Sequence, residues 1–153
     1  MEMADVRSLL PHSGPMVLLD RVVSVDEESL CAEVTIKRGD LFCDHAGVGA
    51  WVGIEYMAQA IAAYAGYVAR SCGEPIKLGF LLGARRYDCN RPLFAIGSIL
   101  RIFVKRALQG ENGLASFECD IVDVAQGPAA KATLTVFQPP DVEEFLRGSS
   151  SSK

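Results

Sequence analysis

The chain has few of the residues that usually build metal or nucleotide sites. Its 153 residues contain only two histidines, and none of its five cysteines belongs to a CxxC pair. These counts favour reduced thiols in a cytoplasmic protein over a disulfide framework or a zinc site. The sequence also lacks a GxSxG motif, a GxGxxG motif after a strand and a GxxxxGK(S/T) motif, which excludes the common nucleophile and phosphate-loop signatures. We therefore expect neither a metal nor a cofactor.

An excess of basic charge is also missing. Fifteen Lys and Arg residues stand against nineteen Asp and Glu residues, giving a net charge of −4. The chain thus lacks the basic footprint of nucleic-acid binding, and an acidic membrane surface is disfavoured as a partner. No basic segment followed by an apolar one opens the sequence, so no signal peptide is expected. We predict one domain over residues 4–147 and a flexible Gly/Ser-rich tail over 148–153.

The chain has a single long apolar run, at residues 51–69. Its length is about that of a membrane span, but it contains Glu55 and Gln59, and much of its apolar content is Ala and Gly. A buried core helix over residues 50–71, closed by Gly73 and Pro75, is the favoured interpretation. A helix that is apolar on nearly all sides is one that other elements enclose.

Segments rich in Val, Ile and Leu lie on both sides of this helix, and several alternate apolar and polar residues as half-buried strands do. The predicted strands cover residues 16–26, 29–39, 76–87, 98–108, 113–124 and 129–137. Short helices are predicted at residues 4–10 and after Pro140. The order predicts an α+β domain in which a mostly antiparallel six-stranded sheet wraps one long central helix.

Two titratable residues flank the predicted helix start. His45 stands in the Gly-rich segment DHAGVG, and Glu55 follows ten residues later inside the apolar helix. A histidine can act as a base near neutral pH, and a carboxyl in a dry environment favours its neutral form. If they face each other, the two form a general acid/base pair.

Each of these residues also has a structural interpretation. The structural interpretation of Glu55 is a side chain bonded to a loop N–H or to a cation. The other histidine, His12, is best explained as an anchor of the Pro/Gly-rich turn LPHSGP. Gln59 lies one helical turn after Glu55 on the same face, followed by Ala62 and Gly66. This small-residue stripe is compatible with an acyl chain or with a second helix.

At these residues the chain resembles the hot-dog fold β-hydroxyacyl-acyl carrier protein dehydratases, and among them the dehydratase-like subunits of aryl polyene biosynthesis. The resemblance covers nearly the whole chain. It is carried by LPHSGPMVLLDRVVSVD, by the helix motif GIEYMAQA at residues 53–60 and by GFLLGARRYDCNRPLFAIGSIL at residues 79–100, with ASFECDI and TLTVFQP further on.

The resemblance implies a hot-dog fold and a cofactor-free dehydration of 3-hydroxyacyl chains carried by acyl carrier protein. Glu55 falls on the family's catalytic acid, which would protonate the leaving hydroxyl. His45 matches the catalytic histidine, which would take a proton from C2. In the family the two come from different protomers, which implies a homodimer or a heterodimer with a second hot-dog dehydratase.

The same resemblance implies where the substrate would lie. The N–H groups of Gly49 and Ala50 would hold the thioester oxygen as enolate charge develops. The acyl chain would run beside the helix face that carries Gln59 and past the strand residues Phe80 and Leu82.

One departure from the family pattern concerns the histidine loop. The family loop is of the H-F-P-G type and is followed by a second proline, whereas this chain reads H-A-G-V-G with neither proline. The loop before Glu55 is also shorter, so the family role transfers more firmly to Glu55 than to His45. Three functions stay open: an active dehydratase, a subunit that lends Glu55 to a partner dehydratase, and a hot-dog acyl-thioesterase in which Glu55 activates water.

Overall fold

The structure is a computed structural model that describes residues 17–74, 80–110 and 112–137. The short helices predicted at residues 4–10 and after Pro140, His12 and the tail at 148–153 lie outside the described residues. In the described part of the chain, no helix is long and apolar enough to cross a membrane.

One long helix interrupts a chain of strands. A 3₁₀ turn at Ala50–Val52 leads directly into this helix, α1, at Gly53–Ser71. The strands are β1 at Arg21–Val25, β2 at Ser29–Thr35, β3 at Gly47–Gly49, β4 at Phe80–Cys89, β5 at Leu93–Ala95, β6 at Ile99–Gln109, β7 at Leu114–Asp123 and β8 at Gly127–Phe137.

Six of the strands form one antiparallel sheet in the order β1-β2-β6-β7-β8-β4. The predicted α+β architecture is therefore confirmed. The strand β4 is the last in this order, so its outer edge has no neighbour within the described chain. A second sheet, formed by β3 and β5, was not predicted; its strands have three residues each, too few for an alternating pattern to be visible.

The core lies between α1 and the concave face of the sheet. The helix packs mainly on β2, β6 and β7. In β6, Leu100, Ile102 and Val104 are buried while the residues between them point outward, as the period of two in a strand requires. The helix contributes Met57, Tyr64 and several alanines to the core, whose small side chains allow close approach to the sheet; these are Ala60, Ala63 and Ala69.

A buried ion pair holds two connections of the sheet together. Arg91, between β4 and β5, donates to the Asp123 carboxylate at 3.2 Å, and the Asp123 side chain is only 4% exposed. The other carboxylate oxygen of Asp123 accepts the backbone N–H groups of Ala125 and Gln126 in the β7–β8 turn. The Asp123 carboxylate therefore pairs with a cation through one oxygen and closes a turn through the other.

We expect Asp123→Ala to lower the free energy of unfolding by about 2–4 kcal/mol, because it removes the carboxylate that pairs with the largely buried Arg91 guanidinium and accepts two backbone N–H groups. Asp120→Ala is the matched control. Asp120 lies on the same strand and pairs with Lys131 at 3.7 Å across an exposed surface, so its loss should cost less than about 1 kcal/mol. Urea unfolding measures both, and equal effects would contradict the prediction.

Candidate active site

Glu55 lies in the first turn of α1, half-buried, on a helix whose inner face is apolar. One of its oxygens, Oε1, accepts a hydrogen bond of 3.4 Å from the Gln59 side-chain amide. Gln59 is fully buried, and its own Oε1 accepts the Leu18 N–H at 2.9 Å. Among the described residues no cation pairs with Glu55. The amide therefore orients the carboxyl without neutralising it.

His45 lies at the exposed tip of a tight turn that leads into β3. The Asp44 carboxylate closes this turn by accepting the N–H groups of Ala46 at 2.8 Å and Gly47 at 3.1 Å. These hydrogen bonds, with a smaller contribution from the charge of His45, hold the pKa of Asp44 below its usual value. Within the described chain, no hydrogen bond or salt bridge joins His45 to Glu55. The imidazole faces outward at a fixed position.

The Gly47 position has no room for a side chain. Its φ is +154°, and a Cβ atom there would lie 2.2 Å from the Phe94 carbonyl oxygen of β5. This close approach of two backbones is what allows the short strand β3 to pair with β5 between the histidine turn and the helix. At position 47, the glycine of this loop is therefore explained by the close packing of β3 against β5.

Both predicted thioester donors, the N–H groups of Gly49 and Ala50, lie just before α1. The Ala50 N–H donates to the Pro92 carbonyl at 3.0 Å, so its predicted contact with a thioester oxygen would require that bond to open. Opposed residues in an antiparallel ladder alternate between bonded and non-bonded pairs. Because the Ala50 N–H donates to Pro92, the Gly49 N–H points away from β5, toward the side on which Val48 forms an antiparallel bridge with Cys43.

A tyrosine that the sequence did not single out also contacts the helix start. The Tyr87 hydroxyl, from the edge strand β4, donates to the Ala50 carbonyl oxygen. A Cβ atom at Gly53 would lie 2.0 Å from this hydroxyl oxygen, so the glycine makes room for the tyrosine. Desolvation raises the pKa of Tyr87 above its usual value, which keeps the hydroxyl protonated as a donor.

Phe80 and Leu82 lie in β4, but their side chains are outside the described part of the structure. Their contact with an acyl chain therefore stays a prediction.

Two other aromatic residues are exposed beside the helix start. Phe42 is 45% exposed and Trp51 is 65% exposed, and their rings meet edge to face with centroids 5.4 Å apart.

An open groove of about 470 Å³ lies around the Arg91–Asp123 ion pair. None of the predicted site residues lines it. Its walls are polar at Asn90, Ser98 and Gln126 and apolar at Leu93 and Ala95. No group of three or more His, Cys, Asp or Glu side chains suited to a metal ion occurs among the described residues.

A profile of the ApeP-like family, described as ApeP dehydratase, matches residues 4–147. The chain belongs to the ApeP dehydratase family. This assignment confirms the resemblance to dehydratases that the helix motif GIEYMAQA carries, and it makes the chain a dehydratase-type hot-dog protein. A search of curated proteins gave no match.

Solved structures agree with this ApeP dehydratase assignment. A chain of "The Dehydratase Heterocomplex ApeI:P from Xenorhabdus doucetiae" is 32% identical, with 95% of this chain and 97% of that chain covered and a TM-score of 0.87. A hypothetical thioesterase with coenzyme A from Streptococcus pneumoniae TIGR4 is 16% identical, with 76% and 83% covered and a TM-score of 0.58. The E. coli PaaI protein is 18% identical, with 76% and 77% covered and a TM-score of 0.56. The last two share the fold alone.

Proposed function

We propose that the chain is a subunit of a heteromeric 3-hydroxyacyl-[acyl carrier protein] dehydratase of aryl polyene-type biosynthesis, and that Glu55 is its catalytic acid. The observation that carries this proposal is the position of Glu55, half-buried at the start of an otherwise apolar helix and bonded to the Gln59 amide. A carboxyl that reaches the substrate from a helix start can act as a general acid.

The proposed reaction is an elimination that needs one base and one acid. A histidine takes the proton from C2 of the 3-hydroxyacyl thioester, and the C2 electron pair forms the C2–C3 double bond. Glu55 gives its proton to the 3-hydroxyl group, which leaves as water. In this scheme the Gly49 N–H stabilises the negative charge that develops on the thioester oxygen. No cofactor enters this scheme.

A site shared between two subunits is supported by three features. His45 is exposed and is not bonded to Glu55 of its own chain. Beside Glu55 on the helix, Ile54, Ala58 and Ala62 are partly exposed, and the two alanines are small, which leaves room for another subunit. Within the described residues the outer edge of β4 has no neighbouring strand, and such edges invite pairing with a strand of a second sheet. The relative of highest similarity named above comes from a heterocomplex.

The deciding experiment measures dehydration of a 3-hydroxyacyl chain on acyl carrier protein by this chain alone, by a second hot-dog dehydratase subunit from the same pathway alone, and by the two together. We expect enoyl product with the mixture at a rate well above the sum of the separate rates. Free carrier thiol in place of enoyl product would favour a thioesterase. Equal rates with and without this chain would contradict the proposal.

A further inference from the structure

The edge strand β4 has a local irregularity that changes where Tyr87 points. Arg85 pairs with Thr133 and Asp88 with Lys131, so two residues of β4, Arg86 and Tyr87, oppose only one residue of β8. Arg86 has a φ of +51°, which is unusual for a residue other than glycine. This β-bulge adds one residue to the strand and reorients its side chains.

As a result, Tyr87 reaches under the helix start. Its hydroxyl donates to the Ala50 carbonyl oxygen, while the Ala50 N–H donates to Pro92 three residues after the end of β4. The N–H and the carbonyl group of Ala50, just before α1, are therefore both bonded to the segment that runs from β4 to β5. The Tyr87 ring occupies the space beside Gly53, the first residue of α1.

We propose that Tyr87 is a positioning residue for Glu55: it ties the edge strand β4 to the carbonyl of Ala50 and thereby fixes the helix start from which the carboxyl projects. This inference rests on the proposed role of Glu55. Two anchors then set the carboxyl, the Tyr87–Ala50 bond before Glu55 and the buried Gln59 after it.

Because β4 is one of the two end strands of the sheet in the described chain, Tyr87 also connects this edge to the site. A second sheet that pairs with β4 restricts the strand and, through Tyr87, the helix start. This gives a physical reason for a site that gains activity when a partner binds at the edge, in addition to any residue that the partner supplies.

The chain provides a matched control in Tyr64. Its hydroxyl also donates to a backbone carbonyl 37 residues away, that of Glu27, and desolvation likewise raises its pKa. Tyr64 lies nine residues after Glu55, about 13 Å further along the helix. Tyr64→Phe therefore removes the same type of bond at a distance from the site.

In the complex with the partner subunit, we expect Tyr87→Phe to lower kcat about three- to tenfold, the effect of one lost hydrogen bond, with little change in KM. Tyr64→Phe should lower the urea midpoint of unfolding to a similar extent and leave kcat unchanged. An unchanged kcat in Tyr87→Phe, or equal kcat losses in both variants, would overturn the inference.

Gly53→Ala supplies a second test. A methyl group at Gly53 would displace the Tyr87 hydroxyl, so the single variant should reproduce the kcat loss of Tyr87→Phe. In the double variant the two losses should not multiply, because they break the same contact. If they do multiply, Gly53 and Tyr87 act separately and the proposed link is wrong.

Amide hydrogen exchange of the isolated chain distinguishes this inference from the proposed function. Tyr87→Phe should raise exchange rates at residues 51–55 about three- to tenfold, whereas Tyr64→Phe should leave them unchanged. If the wild-type complex shows no dehydration, the proposed function fails, while exchange still decides whether Tyr87 fixes the helix start. Unchanged exchange in Tyr87→Phe would overturn that statement even if the enzyme is active.

Discussion

Glu55→Gln should lower the rate of dehydration by the complex about 10²–10⁴-fold, because general acid catalysis contributes roughly that factor. Glutamine keeps the shape and hydrogen-bonding capacity of the side chain but has no proton to give at the required step. The fold should be retained, since Glu55 makes one weak side-chain bond, 3.4 Å to Gln59, and no ion pair within the described residues.

The measurement is single-turnover dehydration of the carrier-bound substrate, with far-UV circular dichroism to verify folding. Glu118→Gln is the matched control, because Glu118 is exposed on β7 and should have no effect on the rate. A parent-like rate for Glu55→Gln in every subunit combination would make Glu55 structural.

His45→Ala answers a separate question about the base. We expect a loss similar to that of Glu55→Gln if this chain supplies the histidine. If His45→Ala keeps the parent rate of dehydration while Glu55→Gln loses it, the base belongs to the partner subunit. The exposed position of His45 at the tip of the Asp44–Gly47 turn makes the result informative, because the substitution disturbs no buried contact.

Much of the fold could be predicted because it depends on long periodic segments. The helix predicted over residues 50–71 corresponds to the 3₁₀ turn and α1 together. The six strands of the main sheet were also predicted, although β1 begins at Arg21 rather than at residue 16. Val17 and Leu19 are buried and look like strand residues, but the pairing in register with β2 starts later.

The parts that were missed depend on long-range contacts without a local signature. The strand β3 forms because Gly47 lets it approach β5, more than 40 residues further on. Tyr87 reaches Ala50 because of a β-bulge at Arg86, a position with positive φ at which a sequence pattern would lead one to expect glycine. The bond from Leu18 to Gln59 joins residues 41 positions apart. Periodicity within one segment cannot reveal any of these pairs.

The candidate site itself was only half predictable for a related reason. A carboxylate in an apolar helix stands out in the sequence, so Glu55 could be singled out. The structure shows it half-buried and bonded to Gln59, and its catalytic role stays a prediction. The identity of the base that acts with Glu55 depends on how two subunits contact each other. His45 precedes β3 and Glu55 follows it, and within the described chain they are not bonded to each other, so the acid/base pair stays a prediction about an assembly.

The second large effect concerns stability at alkaline pH. Burial raises the pKa of the Cys119 thiol to about 12, from a usual value of 9.0, and Cys119 has no exposed surface. In the unfolded chain the thiol loses its proton near pH 9, whereas in the folded chain it keeps the proton up to about pH 12. The folded state then binds more protons than the unfolded state, so the free energy of unfolding falls as pH rises through this window.

The stabilising contribution of Cys119 is complete below about pH 9 and decreases by up to about 1.4 kcal/mol per pH unit above it, on the order of 4 kcal/mol by pH 12. Tyr56, whose pKa burial also raises, adds to the decrease above its usual value of 10.0. Urea unfolding followed by circular dichroism at pH 8 and at about pH 10.5 measures the slope.

Cys119→Ala should flatten this pH dependence, because alanine does not titrate, even though the variant starts from a somewhat lower stability at pH 8. Cys72→Ala is the control, since Cys72 is exposed and its removal should leave the slope unchanged. An unaltered slope in Cys119→Ala would show that the buried thiol does not cause the alkaline loss. The expected alkaline loss of stability also affects the enzyme assays. pH profiles that seek the acid and base of the site should stay below about pH 9, where loss of activity reports catalysis rather than unfolding.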